Sequence, residues 1–211
     1  LTIEHLMAAL WACNIGNIVV DIADMKQEIP ILDGSSALFI EKIKDIGIKE
    51  LAIERSYIKV LETVEVHDGD SFIRIEPSDN FSIDMTVKFD YGNIGEQHYF
   101  FNGEQEEFIK NISRARTFCN EKEIEFMKNN GLAKGGSFNN AMVFNDNGLM
   151  NENGFIYEDE VVKHKILDCV GDMFTAGYFM IGKITANKTG HTLNNKLLKE
   201  LFKNKNNYKI V

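Results

Sequence analysis

An α+β fold is the class this sequence predicts, and three observations carry it. Segments with helical periodicity flank a stretch, roughly 57–101, in which apolar residues recur at every second position. No regular alternation of strand and helix runs through the chain, which argues against a doubly wound parallel sheet. Near Glu54-Arg55-Ser56 the pattern switches from helix-rich to strand-rich, and this switch is taken as a domain boundary, giving 1–54 and 55–211.

Thr2 is read as the N-cap of a helix over about 2–12 that is apolar on most sides. Ile18, Val19, Val20 and Ile22 predict a strand over 17–22. Asp33-Gly34 is a turn ahead of a second helix at about 36–45, which Gly47 ends. Asp68-Gly69 marks a hairpin, and Phe81, Ile83, Met85, Val87 and Phe89 alternate with polar neighbours. Helices at about 105–112 and 121–129 follow, then a strand over 141–144 with a turn at Asn147-Gly148. A long helix over about 158–177, a strand at 181–186 and a helix over 192–202 complete the regular structure. The Lys- and Asn-rich end, 203–209, is read as a tail or the start of a linker.

Composition narrows the class of partner. A chain of 211 residues with 44% hydrophobic content can bury a sizeable core. Its net charge of -9 argues against nucleic acid or any general polyanion-binding surface, so an anionic substrate needs a locally basic patch. Arg114, Arg116, Lys165 and Lys188 are the candidates. Three scattered cysteines, Cys13, Cys119 and Cys169, form no CxxC pair and point to a reducing compartment, the cytoplasm. No apolar run reaches the roughly 18 residues that span a bilayer.

The most specific pattern lies in the long helix. His164, Asp168 and Asp172 follow one another at steps of four and stack along one stripe, while Val162, Ile166, Val170 and Met173 fall on the opposing side. An imidazole and a carboxylate one turn apart have the geometry of a two-toothed metal chelate, and equally that of a solvated surface pair. Glu4 and His5 are adjacent at the start of the first helix, and His191 sits on a Gly-containing turn that opens the last one.

The ordered strings TIEHLMAAL, EIPILDGSS, SRARTF, GLAKGGS, NENGFIYEDEVVKHKILDCVGD and KTGHTLNN closely resemble UDP-3-O-acyl-N-acetylglucosamine deacetylase, the zinc hydrolase of lipid A synthesis, from Leu1 to about Leu201. The resemblance implies two similar two-layer α/β sandwich domains with the active site between them. The second would carry an insert, at about 119–150, forming an apolar passage for the acyl chain. Phe126, Met127, Leu132, Phe138 and Met142 of that insert read equally as core residues. Leu1 opens without an initiator methionine and directly on a motif, so a fragment lacking the N-terminal part of the first domain is expected, the alternative function being a non-catalytic metal- or nucleotide-binding piece.

The same resemblance assigns His5, His164 and Asp168 as ligands of Zn2+, a set that also suits Fe2+. Zinc held by three protein groups polarises a carbonyl and brings a bound water's pKa towards about 7. Glu4 is implied as the general base, although a first-turn acid also complements the helix dipole. His191 is implied as the cationic partner, with Asp172 keeping it protonated, and Thr117 as a hydroxyl facing the oxyanion. Phe89, Phe118, Lys165 and Lys188 are the implied contacts to the UDP-sugar substrate, Phe89 also fitting a core strand and Lys188 a solvated position. Gly135-Gly136-Ser137 reads as a tight turn, since no Lys-Ser/Thr follows as in a phosphate-binding loop. His67 and His98 read as surface residues.

Overall fold

A computed structural model describes residues 2–22, 28–129 and 135–211. The regular elements are α1 (Glu4–Ala12), α2 (Ala37–Ile46), β1 (Tyr57–Val60), β2 (Val64–Asp68), β3 (Ser71–Glu76), β4 (Ser82–Phe89), β5 (Gly95–Phe101), α3 (Gln105–Asn111), β6 (Phe118–Asn120), α4 (Glu121–Asn129), β7 (Met142–Asn145), β8 (Gly148–Leu149), α5 (Glu160–Phe174), β9 (Phe179–Ile181), β10 (Lys183–Asn187), α6 (His191–Lys203) and β11 (Tyr208–Ile210). The architecture is α+β.

Period-two patterning builds the main sheet, whose strand order is β2-β3-β10-β4-β5. Ile184 pairs with Ile75 on one side and Ile83 on the other, and Ala186 with Ile73 and Met85. All six are buried, so consecutive ladder rows form one apolar face. Onto it pack α5, against β4 and β5, and α6, against β2 and β3. A helix buried on every side results: His164 and Asp168 are as enclosed as Ile166 and Val170, because α1 covers the stripe that the sheet does not. Trp11, the one tryptophan, anchors α1 among Phe81, Phe101, Phe108 and Phe179, with ring centroids between 5.6 and 6.4 Å.

The crossing of α1 on α5 depends on Gly171. A Cβ there would lie 2.0 Å from the Glu4 carbonyl oxygen. A mid-helix glycine costs about 1 kcal/mol relative to alanine, and here the missing side chain lets the first turn of α1 rest directly on α5.

Several expectations change. Residues 17–22 form no strand: among the described residues none pairs with them, and Val19 is 93% exposed. β-branched composition does not make a strand without a partner. The single strand expected at 181–186 is two strands in different sheets, broken at Gly182, whose absent side chain accommodates Val60 Cγ2, 2.9 Å from where a Cβ would stand. The C-terminal end is neither tail nor linker, since β11 pairs antiparallel with β1, and Tyr208 packs on Phe202 at 5.0 Å. Thr2 does not cap α1, which starts at Glu4 with Ile3 before it and no side-chain cap bond. Over the region expected to be an insert, β6-β7-β8 make a small third sheet; Met142 is core, whereas Phe138 is 53% exposed and so is not. Leu132 and the side chains of Phe126 and Met127 lie outside the described residues.

Candidate metal centre and cleft

Three side chains from two helices meet at the α1–α5 crossing. His164 Nε2 stands 3.3 Å and His5 Nε2 3.6 Å from Asp168 Oδ1, and the His5 and His164 rings lie edge to face with centroids 5.1 Å apart. Each residue is about 3% exposed, and one donor atom from each falls within 4.8 Å of the others. Asp168 Oδ1 and His5 Nδ1 are buried without a hydrogen-bond partner. Buried polar atoms are normally satisfied, so a carboxylate oxygen left bare between two imidazoles is the mark of a cation site.

The surroundings prepare these groups as ligands. His164 Nδ1 donates to the Ala115 carbonyl at 3.0 Å, which orients the ring and leaves Nε2 with its lone pair toward Asp168. Burial drives His164 down to about 4, so the imidazole is neutral at pH 7. For Asp168, burial pushes upward, but His164 and Lys165 outweigh it and hold the carboxyl well below the usual range. Lys165 Nζ donates to Asp168 Oδ2 at 2.9 Å, so one oxygen is engaged by the lysine and the other is free for an ion. The Ala115 carbonyl is fixed by its neighbour: Arg116 is buried, forked onto Glu160 at 2.8 and 3.1 Å, and bonded to Gly154 O. Arg116 therefore leaves the proposed basic patch and serves instead to pin its segment to the start of α5.

The third tooth of the stripe has a separate partner. Asp172 Oδ2 accepts from His191 Nδ1 at 2.9 Å, and His191 Nε2 points back toward Asp168 Oδ2 at 3.8 Å. The Asp172 bond, opposed by burial, raises His191 to about 9. The neutral imidazole of His164 and the protonated imidazole of His191 thus stand on either side of one carboxylate.

The candidate metal site and His191 open into a cleft of about 380 Å³. Comparison with known proteins places this geometry in a family. The family of UDP-3-O-acyl N-acetylglycosamine deacetylases matches over residues 1–203. UDP-3-O-acyl-N-acetylglucosamine deacetylases of Psychrobacter sp. (strain PRwf-1) and Haemophilus ducreyi (strain 35000HP / ATCC 700724) are each 42% identical, over 100% of this chain and 71% and 69% of their own lengths. The chain belongs to that deacetylase family. A third member, from Histophilus somni (strain 129Pt), is 41% identical over the whole chain and 69% of its own length.

Of the remaining residues implied by resemblance to this deacetylase family, all but Glu4 and Asp172 line the cleft. Thr117, Phe118, Phe89, Lys165 and Lys188 all line it. Phe89 and Phe118 meet edge to face at 5.2 Å, and Phe118 meets the His164 ring at 6.0 Å, so Phe89 belongs to the cleft wall. Thr117 is held by main chain on both sides, its N–H donating to Gly34 O at 2.8 Å and its carbonyl accepting from Met142 N at 2.7 Å. Gly34, with φ 80°, passes so close to Asn140 O that a Cβ would overlap it. Lys188 is exposed at φ 52°, and Arg114 is exposed without lining the cleft. Glu4 is half-buried at the first position of α1. His67 and His98 lie on exposed strand faces beside Glu65 and Asp84. Gly135 accepts from Asn140 Nδ2 in a tight turn.

Two contributors escaped the sequence reading. Gly171 was visible as a glycine inside a strong helical pattern, a signal of close approach. Asn194, one turn beyond His191 on the same helix face, also reaches Asp172 Oδ2, at 2.8 Å.

Proposed function

We propose that the protein is a zinc-dependent amide hydrolase that removes the N-acetyl group from UDP-3-O-(3-hydroxyacyl)-N-acetylglucosamine, the committed step of lipid A biosynthesis. The observation that carries this reading is the bare Asp168 oxygen between His5 and His164, opening on a cleft with His191 at its edge. His5, His164 and Asp168 would hold the zinc, which would supply Lewis acidity to the amide carbonyl and lower the pKa of a water towards neutral pH. Glu4 accepts the proton of the attacking water on its carboxylate. The Thr117 hydroxyl faces the oxygen of the amide as it gains charge. His191, with Nδ1 committed to Asp172, delivers a proton from Nε2 to the departing amine. Lys165 and Lys188 give the cleft positive charge for the diphosphate, within a chain that is otherwise acidic, and Phe89 and Phe118 offer ring faces and edges to the nucleoside and sugar. Residues 1–54 belong to an N-terminal domain and 55–211 to a C-terminal domain with its insert at about 119–150, so the ligands come from both. Three free thiols support work in the reducing cytoplasm.

Release of acetate from the UDP-sugar, followed by mass spectrometry, tests the reading directly. Activity is expected to vanish on chelation and return with Zn2+. An anaerobic arm with Fe2+ compares the two metals that suit this donor set. A metal-replete, folded protein that leaves the N-acetyl group untouched would rule the activity out.

The Asp172 bond makes a prediction about pH. His191 must hold a proton to act, and its pKa is raised to about 9 by Asp172, so the parent's kcat/KM should fall on the basic side near that value. In Asp172→Asn the acceptor loses its charge, imidazolium loses its support, and the basic limb is expected at lower pH. The bond lies on Nδ1, away from the ligand set, although the site titrates as a whole. A limb that stays in place in this variant would remove His191 from the acid role.

A further inference from the structure

We propose that Asn194 is a positioning residue for the Asp172–His191 pair, with Thr189 fixing its amide; the inference rests on the reading of His191 as proton donor. Asn194 is completely buried, whereas the His191 side chain is 52% exposed. Its Nδ2 donates to Asp172 Oδ2 at 2.8 Å, and its Oδ1 accepts from Thr189 Oγ1 at 2.8 Å. Only one orientation of the amide satisfies both neighbours, because a carboxylate accepts and cannot donate. The Thr189 hydroxyl can supply the proton that the amide oxygen needs, so the two contacts select the same orientation.

The consequence falls on a single oxygen. Asp172 Oδ2 receives both His191 Nδ1, at 2.9 Å, and Asn194 Nδ2. With His191 alone, the carboxylate and its half-exposed imidazole partner could rotate together or exchange oxygens. With its second lone pair taken by a buried amide, that oxygen is held in place, and the ring bonded to it keeps Nε2 directed at the cleft. Helix geometry sets this up: His191 and Asn194 are three residues apart on α6 and present to one carboxylate on α5. Asn194 does not itself line the cleft and bonds none of His5, His164 and Asp168; Thr189, its other partner, lines the cleft, so the route from Asn194 to His191 runs through Asp172.

The test uses the zinc-loaded protein with Asn194→Ala and, as a milder change that keeps the shape of the site, Thr189→Val. A support of this kind is worth about 10- to 100-fold, so Asn194→Ala is expected to lower kcat by about tenfold or more, with KM and zinc content at the parent's values. Thr189→Val should give a smaller loss of kcat in the same direction; because Thr189 also lines the cleft, the His191 shifts of this variant carry the test if Asn194→Ala does not fold. Introduced into Asp172→Asn, Asn194→Ala should cost nothing further, because its route is already cut. The ring-nitrogen shifts of His191, read by NMR through the carbon-bound ring protons, report the pair without turnover and should move in both variants. Should the parent itself release no acetate, the deacetylase reading fails and the nitrogen shifts decide the positioning role alone. If the parent is active, then kcat within twofold of it in the folded variants, or His191 shifts that do not move, overturns the inference.

Discussion

His164→Ala is expected to lose stoichiometric zinc and, with it, all measurable deacetylation. The imidazole is bonded through Nδ1 to the Ala115 carbonyl and presents Nε2 at 3.3 Å from the free Asp168 oxygen. Alanine removes both ends of that bridge. Two of the proposed ligands remain, His5 and Asp168, and the buried carboxylate keeps Lys165 at 2.9 Å and His191 at 3.8 Å as close cations. Outer-shell partners of metal ligands typically contribute 10- to 100-fold in affinity, so deletion of a ligand itself should cost on the order of 100-fold or more. Loss of the ring also leaves a cavity beneath Phe118, and a few kcal/mol of stability should go with it, about 2–4 by analogy with large-to-small core changes. Zinc affinity is therefore to be measured by competition well below the melting temperature, with circular dichroism as the check on folding. A folded His164→Ala protein with the parent's affinity would falsify the ligand assignment.

How much of this could be read from the chain depends on whether the information is local. The stripe of His164, Asp168 and Asp172 is local, because helical geometry alone puts steps of four on one face. β4 is local in the same way, with Ile83, Met85 and Val87 buried in strict alternation. Pairing is not local. Residues 17–22 carry as much β-branched character as β10, yet β10 has neighbours on both sides and 17–22 has none among the described residues. The end of the chain is polar from Lys203 to Asn207, which hides the three-residue β11 that follows, a strand too short to be recognised until β1 offers it an edge. Arg116 shows the same limit from the side of charge: as an isolated basic residue it suggested an anion site, and only the fold reveals Glu160 beside it. The ligand role of His5 is implied by resemblance, and the geometry that allows it appears at Gly171, where α1 approaches α5 closely enough for side chains of two helices to meet at one carboxylate.

Glu4→Gln is expected to keep the metal and lose the reaction, the reverse division from His164→Ala in that zinc stays. Glu4 is adjacent to a ligand but outside the three-residue ligand set, so the amide should leave zinc affinity unchanged. A general base contributes about two to four powers of ten, so kcat should fall by 10²- to 10⁴-fold, which is about 3–5 kcal/mol in the barrier. The competing role for this residue is that of a first-turn acid complementing the α1 dipole, and its magnitude separates the two. A dipole contribution is worth about 0.3–1 kcal/mol of stability and nothing in the chemical step. The glutamine variant should therefore melt slightly below the parent in either case, and the rate distinguishes them. Gln retains the shape and polarity of Glu, so a change in packing at the Gly171 crossing, where the main chain of Glu4 lies, cannot account for a large loss. Single-turnover measurement on zinc-loaded protein isolates chemistry from product release. A variant that binds zinc as the parent does and turns over within twofold of it leaves Glu4 with the dipole role only, and the proton of the attacking water must then go to another group in the cleft.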